Sequence, residues 1–142
     1  RSRTLPCFTE SAVIAAYLPS LLSGIARRGD TPGWDFQLAI EVLGQLHAVQ
    51  HGPEKGLTSE ALAHRLKVSP LQLEEALATL TSLDWVARIK EDDERHVMLI
   101  DPSLTPVRPL VDRLLLLPHA SMQAFAQRSA WGSLTVAQSF QI

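Results

Sequence analysis

The sequence predicts a mainly α winged helix-turn-helix with a small two-stranded β-hairpin wing and extra N- and C-terminal helices. Three observations point there. Residues 57–101 run as helix, tight turn, helix and hairpin, preceded by a clear amphipathic helix. Each junction in that run carries its own capping or turn signal, and agreement across levels outweighs any single motif. The 142-residue chain is long enough for one buried core, and its 46% hydrophobic and 20% charged composition belongs to a globular rather than a disordered protein.

The elements follow in order. Residues 1–33 read as a helical leader and linker. Thr9-Glu10-Ser11 offers a helix start before the apolar run Ala12–Leu18, Pro19 interrupts it, and Arg27-Arg28, Gly29, Pro32 and Gly33 close it. At about 15 residues the apolar part is too short to span a membrane alone, yet it suits the end of a membrane helix. Glu10 and the lack of a small-residue cleavage pattern argue against a secretory signal peptide.

Residues 34–118 form the expected winged-helix domain. Phe36, Ala39, Ile40, Leu43 and Leu46 mark the buried stripe of a helix over 36–51, which Gly52 and Pro53 stop. Thr58 or Ser59 caps a second helix through Leu66, with Leu62, Ala63 and Leu66 inward. Ser69 and Gln72 stand in capping-box spacing around Pro70, which sits at the first helical position where its missing N–H costs nothing. The third helix buries Leu73, Leu77 and Leu80, and Asp84 ends it in left-handed turn geometry. Residues 85–90 and 95–100 read as two strands around Glu91-Asp92-Asp93-Glu94. Pro102, Pro106 and Pro109 make an extended connector to a short helix over 110–117, ended by Pro118. Residues 119–142 are expected to be one further amphipathic helix, starting at Ser121.

The run LTSEALAHRLKVSPLQLEEALATLTSLDWVARI, followed by VMLIDPSLTPVRPLVDRLLL, resembles the cytosolic C-terminal extension of the YihY/BrkB inner-membrane proteins, bacterial polytopic proteins long labelled ribonuclease BN. Val68-Ser69-Pro70-Leu71-Gln72-Leu73, Leu83-Asp84-Trp85-Val86 and Asp101-Pro102 carry the resemblance, which covers residues 32–117. A weaker match, AVIAAYLP, looks like the cytosolic end of the family's last membrane helix, with Arg27-Arg28 as the positive cytoplasmic flank. The resemblance implies a parent protein with several membrane helices and a domain at the cytoplasmic face of the inner membrane. The ribonuclease label implies tRNA processing, but no catalytic motif of the family transfers to a residue of this chain.

A helix-turn-helix suggests DNA, and the charges argue against it. Outward positions of the third helix are Pro70, Leu71, Gln72, Glu74, Glu75 and Ala78, of which Gln72 alone could read a base. From Thr58 to Asp101 nine acids face five bases, a net −4 within a chain of −2. Phosphate binding rests on Lys and Arg, so the expected contact surface has the wrong sign. His47 and His51 have a spacing that can chelate zinc on a helix, but no third ligand stands at a matching position, and the pair reads as one partly buried histidine beside the core stripe and one near the helix C-terminus. Cys7 excludes an intramolecular disulfide and a cysteine zinc cluster by being single, and has no local partner that would activate it. Asp92 and Asp93 read as a solvated turn rather than metal carboxylates.

Leu114-Leu115-Leu116-Leu117 covers most of a helix circumference. Either that helix is buried between the winged helix and the C-terminal helix, or one side is left for a partner. The functional expectation is a soluble, non-enzymatic regulatory or protein-interaction domain whose partner is its own membrane domain or a second copy of itself. A nucleic-acid-binding module is the alternative. The candidate surface comprises Leu71, Gln72, Glu75, Leu115 and Leu116, and no catalytic, cofactor-binding or metal-binding residue is assigned.

Overall fold

The computed structural model describes residues 31–91 and 93–140. The expected leader up to residue 30, with Cys7 and Arg27-Arg28, lies outside the described residues, as do Asp92 and the last two residues.

Helix α1 (Trp34–Val49) starts two residues earlier than the sequence pattern suggests. Trp34 is buried, so its indole extends the inward face by a further turn, while Phe36 is only partly covered. Gly33 enters the helix with φ +81, a left-handed conformation that suits a residue without a Cβ. Strand β1 (Leu57–Thr58) leads into α2 (Ser59–Leu66), where the Thr58 hydroxyl accepts from the Ala61 amide at 3.1 Å. The end of α2 turns through left-handed Lys67, and the Val68 amide returns to the Ala63 carbonyl, with the buried Val68 side chain closing the turn.

Helix α3 (Pro70–Ser82) has the expected capping box: the Gln72 amide donates to Ser69 Oγ, and the Ser69 amide donates to Gln72 Oε1. Leu73, Ala76, Leu77 and Leu80 are buried at three-and-four spacing. Asp84 takes φ +59, and the Trp85 amide reaches back to Leu80 at 3.1 Å, so the chain leaves the helix with Trp85 tucked into the core.

The expected two-stranded wing is a three-stranded antiparallel sheet of order β1-β3-β2, with β2 (Val86–Lys90) and β3 (Glu94–Met98). The two residues of β1 pair as Leu57 with His96 and Thr58 with Arg95, which makes β3 the central strand. A two-residue strand has no periodicity to read, so sequence pattern alone misses it.

Helix α4 (Arg108–Leu114) is shorter than expected. Leu115 caps it, still in the right-handed region with its amide on the Val111 carbonyl at 2.9 Å, and regular helix ends before Pro118. The C-terminal stretch is not one helix. It breaks into a 3-10 turn (Ala120–Met122), α5 (Gln123–Arg128), a second 3-10 turn (Ala130–Ser133) and α6 (Val136–Phe140). Hydroxyls of Ser129 and Ser133 bond back to carbonyls of Phe125 and Ala130, competing with helix continuation. Thr135 and Gln138 form a reciprocal cap that restarts the helix. Hydrogen bonds from Val136 to the Thr105 carbonyl and from Ala137 to the Pro102 carbonyl, both 2.8 Å, fasten this last helix to the connector after the wing. Val136 thereby joins the same core as α1–α4.

Gly56 is the position where a side chain is least tolerable. A Cβ there would meet the His96 carbonyl oxygen at 2.5 Å and Val97 Cγ1 at 2.7 Å. Gly56→Ala should push β1 off β3 and cost about 1–3 kcal/mol, in the range of overpacked cores, read as a lower urea midpoint. An unchanged midpoint would show that the β1–β3 contact does not matter to stability.

Candidate interaction surface

Two regions of the surface gather the residues that sequence reasoning singled out. The first is the outer side of α3 and the neighbouring wing. Leu71 is 73% exposed, and Pro70, Glu74, Glu75 and Ala78 are exposed beside it. Gln72 is not available as a base reader: its Oε1 accepts from both the amide and the hydroxyl of Ser69. The wing approaches this helix directly, because Arg88 on β2 lies 3.7 Å from Glu74 and donates to Glu94 at 3.1 Å. On the central strand, Arg95 pairs with Asp93 at 3.6 Å and donates to the Glu54 carbonyl at 3.0 Å. Two of the wing's cations are thus already held by carboxylates, Arg88 on the face that carries His96 and Arg95 on the opposite one.

Behind this face sits a polar group that sequence reasoning missed. His96, on the central strand, is 2% exposed. Its Nε2 lies 2.9 Å from Ser59 Oγ, and the Ser59 hydroxyl donates to Glu74 Oε1 at 3.3 Å. Assigned from this network, with the serine proton on Glu74, the neutral tautomer carries its proton on Nε2 towards Ser59 and leaves Nδ1 bare. That Nδ1 is buried without a hydrogen-bond partner among the described residues. Burial pushes the His96 pKa below 6.5, helped by the Arg88 guanidinium and opposed by the Glu74 and Glu94 carboxylates. The signal was present in the strand's alternation: His96 and the buried Met98 are two residues apart and share the inward face.

The second region is the end of α4. The leucine run is neither fully buried nor fully free. Leu114 packs against the core, Leu115 is 42% exposed, and Leu117 is 74% exposed. Leu116 turns into a cleft of about 420 Å³ between α4 and α5, which Arg108, Asp112, His119, Met122 and Gln123 also line. The Arg108 guanidinium donates to Asp112 at 3.0 Å, so the charged part of that lining is self-neutralised. Leu71, Gln72 and Glu75 lie on α3 and Leu115 and Leu116 beyond the end of α4, so the candidate surface falls on two separate elements.

The histidine pair does not form a site. Helix α1 ends at Val49, so His51 lies beyond it, and the exposed His47 ring leans against Phe140 at 5.6 Å. No group of three His, Cys, Asp or Glu side chains among the described residues could hold a metal ion.

No family model matches the chain. Over 134 residues it is 46% identical to a UPF0761 membrane protein of Verminephrobacter eiseniae, covering 89% of this chain and 32% of that protein. A UPF0761 membrane protein of Albidiferax ferrireducens is 47% identical over 129 residues, covering 88% of this chain and 31% of the relative. The chain therefore spans about a third of the length of the curated relatives it matches. Among the described residues no helix is long and apolar enough to cross a membrane. Solved structures give the fold. The global cysteine regulator CymR of B. subtilis aligns with TM-score 0.55 at 16% identity, over 83% of this chain and all of that one. IscR of T. potens aligns with TM-score 0.53 at 14% identity, over 80% of this chain and 85% of that one. The winged helix-turn-helix is thus the fold of this chain.

Ser59→Ala should strip the partner from a buried imidazole nitrogen and cost about 1–3 kcal/mol, the usual penalty for an orphaned buried polar group. Chemical denaturation of the variant beside the wild type measures it, and a difference below a few tenths would remove the Ser59–His96 bond from the list of contacts that matter.

Proposed function

We propose that this winged helix is a non-enzymatic regulatory or protein-interaction domain carried by a larger membrane protein, and that it binds protein rather than nucleic acid. The observation that supports this most is the outer face of α3 and the wing. Among its described residues that region presents Leu71, Glu74, Glu75, Glu91 and Asp93 against a single exposed Lys90, holds Arg88 between Glu74 and Glu94, and spends its candidate base reader on a helix cap. Phosphate contact needs free Lys and Arg, and counterion release cannot drive binding to a surface of this sign.

Similarity to membrane proteins three times its length supports a role as one part of a longer chain. The resemblance to the YihY/BrkB extension and the Arg27-Arg28 pair after an apolar run support placing it on the cytoplasmic side of a bacterial inner membrane. Its partner is then its own membrane domain or a second copy, met through Leu71 and Glu75 on α3 and through Leu115 and Leu116 after α4. The ribonuclease label attached to that family finds no group of three His, Cys, Asp or Glu side chains among the described residues that could hold a metal ion.

A nucleic-acid module is the second reading, favoured by the likeness to CymR and IscR. Fluorescence anisotropy with labelled duplex DNA and with tRNA, at about 50 mM and about 200 mM salt, separates the two. No saturable binding is expected, and micromolar binding that weakens with salt would overturn the protein-binding reading.

Light scattering then separates the two protein partners. Self-association that disappears in a Leu115→Glu, Leu116→Glu variant identifies the second copy. A monomer at every concentration, with binding to the detergent-solubilised membrane portion that Leu71→Glu weakens at least tenfold, identifies the membrane domain. A monomer that does not bind that portion sinks both.

A further inference from the structure

The buried imidazole of His96 has a consequence for the wing that does not depend on what the surface binds. The ring sits in the central strand, registered between Leu57 of β1 and Arg88 of β2. Its one hydrogen bond joins the sheet to the first turn of α2 through Ser59, and Ser59 is joined in turn to Glu74 of α3. The Ser59–His96 contact therefore fastens the wing to the helix-turn-helix.

We propose that His96 is a proton-operated latch: the neutral ring holds the wing against α2 and α3, and protonation at Nδ1 releases it. A second ring proton would sit on a nitrogen that is buried and has no acceptor among the described residues. The charged groups facing the ring are Arg88 from β2, Glu74 from α3 and Glu94 from β3 itself. Beside it β1 contributes Leu57 and Thr58, and α2 contributes Ser59, none of which titrates in this range. The two carboxylates favour the imidazolium, but both already accept from other groups: Glu74 takes the Ser59 hydroxyl and Glu94 takes Arg88. Burial and the adjacent guanidinium outweigh them, so the closed wing disfavours the proton.

The direction of the effect follows from linkage. In a released wing the ring is hydrated and regains its ordinary value of 6.5, whereas in the closed wing it lies lower. Between those two values the released form binds more protons. The latch is fully engaged above 6.5 and is lost as pH falls towards the closed-state value. Within that window the opening equilibrium rises about tenfold for each pH unit.

Amide hydrogen exchange tests this on the intact chain. After correction for intrinsic rates, amides of β2 and β3 should lose protection about tenfold per unit below pH 6.5. Amides of α1 should not, because the helix core stays closed. The His96 Cε1–H resonance should titrate below 6.5 in the folded protein. His96→Gln retains a donor towards Ser59 and cannot titrate there, so its wing protection should be flat across the same range. A His96 titration at or above 6.5, equal losses in α1 and the wing, or the same pH dependence in His96→Gln would each overturn the latch. If His96→Gln does not fold, the wild-type titration and the comparison of wing with α1 still decide it.

Discussion

The wide buried face of α1 is the constraint on which the rest of this domain is assembled. Trp34, Leu38, Ala39, Ile40, Val42, Leu43 and Leu46 are all buried on one helix of sixteen residues. A face that broad cannot be covered by one neighbour, and α2, α3, α4, α6 and β3 all pack on it. Burial of each large aliphatic side chain is worth about 2–5 kcal/mol on truncation to alanine, because neighbours collapse incompletely around the void. The helix-turn-helix and the sheet are therefore two layers laid on a common rod. Their relative position is set by apolar packing first and by polar contacts second.

Polar contacts do the finer work where the wing meets the helices. Ser59, Glu74, Arg88, Glu94 and His96 form one connected set, with heavy-atom distances from 2.9 to 3.7 Å. The exposed members contribute little to stability, since surface ion pairs are screened and cost side-chain entropy. Their effect is to hold Arg88 between Glu74 and Glu94, beside an outer α3 surface that exposes Leu71, Glu74 and Glu75. The fold is shared with winged-helix proteins of low sequence identity, and a shared fold does not by itself carry a function.

Much of this was legible in the sequence because it is written in local chemistry. Thr58, Ser69 with Gln72, Pro70 and Asp84 each mark a junction by a side chain or backbone preference acting within four residues, and all four stand where the pattern put them. What was not legible depends on contacts across the chain. Strand β1 exists because residues 57–58 meet 95–96, about forty positions away. The C-terminal segment reads as helix by composition, yet serine hydroxyls and its tie to Pro102 and Thr105 break it. Of the candidate surface, Leu71 and Glu75 are exposed as expected, while Gln72 is spent on its cap. His96 was hidden because a charged run surrounds it, and its inward direction emerges only when its alternation with Met98 is taken over the charge of its neighbours.

The placement of Gly33 carries a geometric consequence. A Cβ on it would lie 3.6 Å from Leu115 Cδ2, so the chain enters the domain beside the leucine run that follows α4. A contact between this ridge and any segment preceding Gly33 would be intramolecular, without the cost of a bimolecular encounter. For such a contact, an affinity too weak to register between separate molecules would be sufficient. The attachment point itself thus makes Leu115 a place where weak forces can be read out as position.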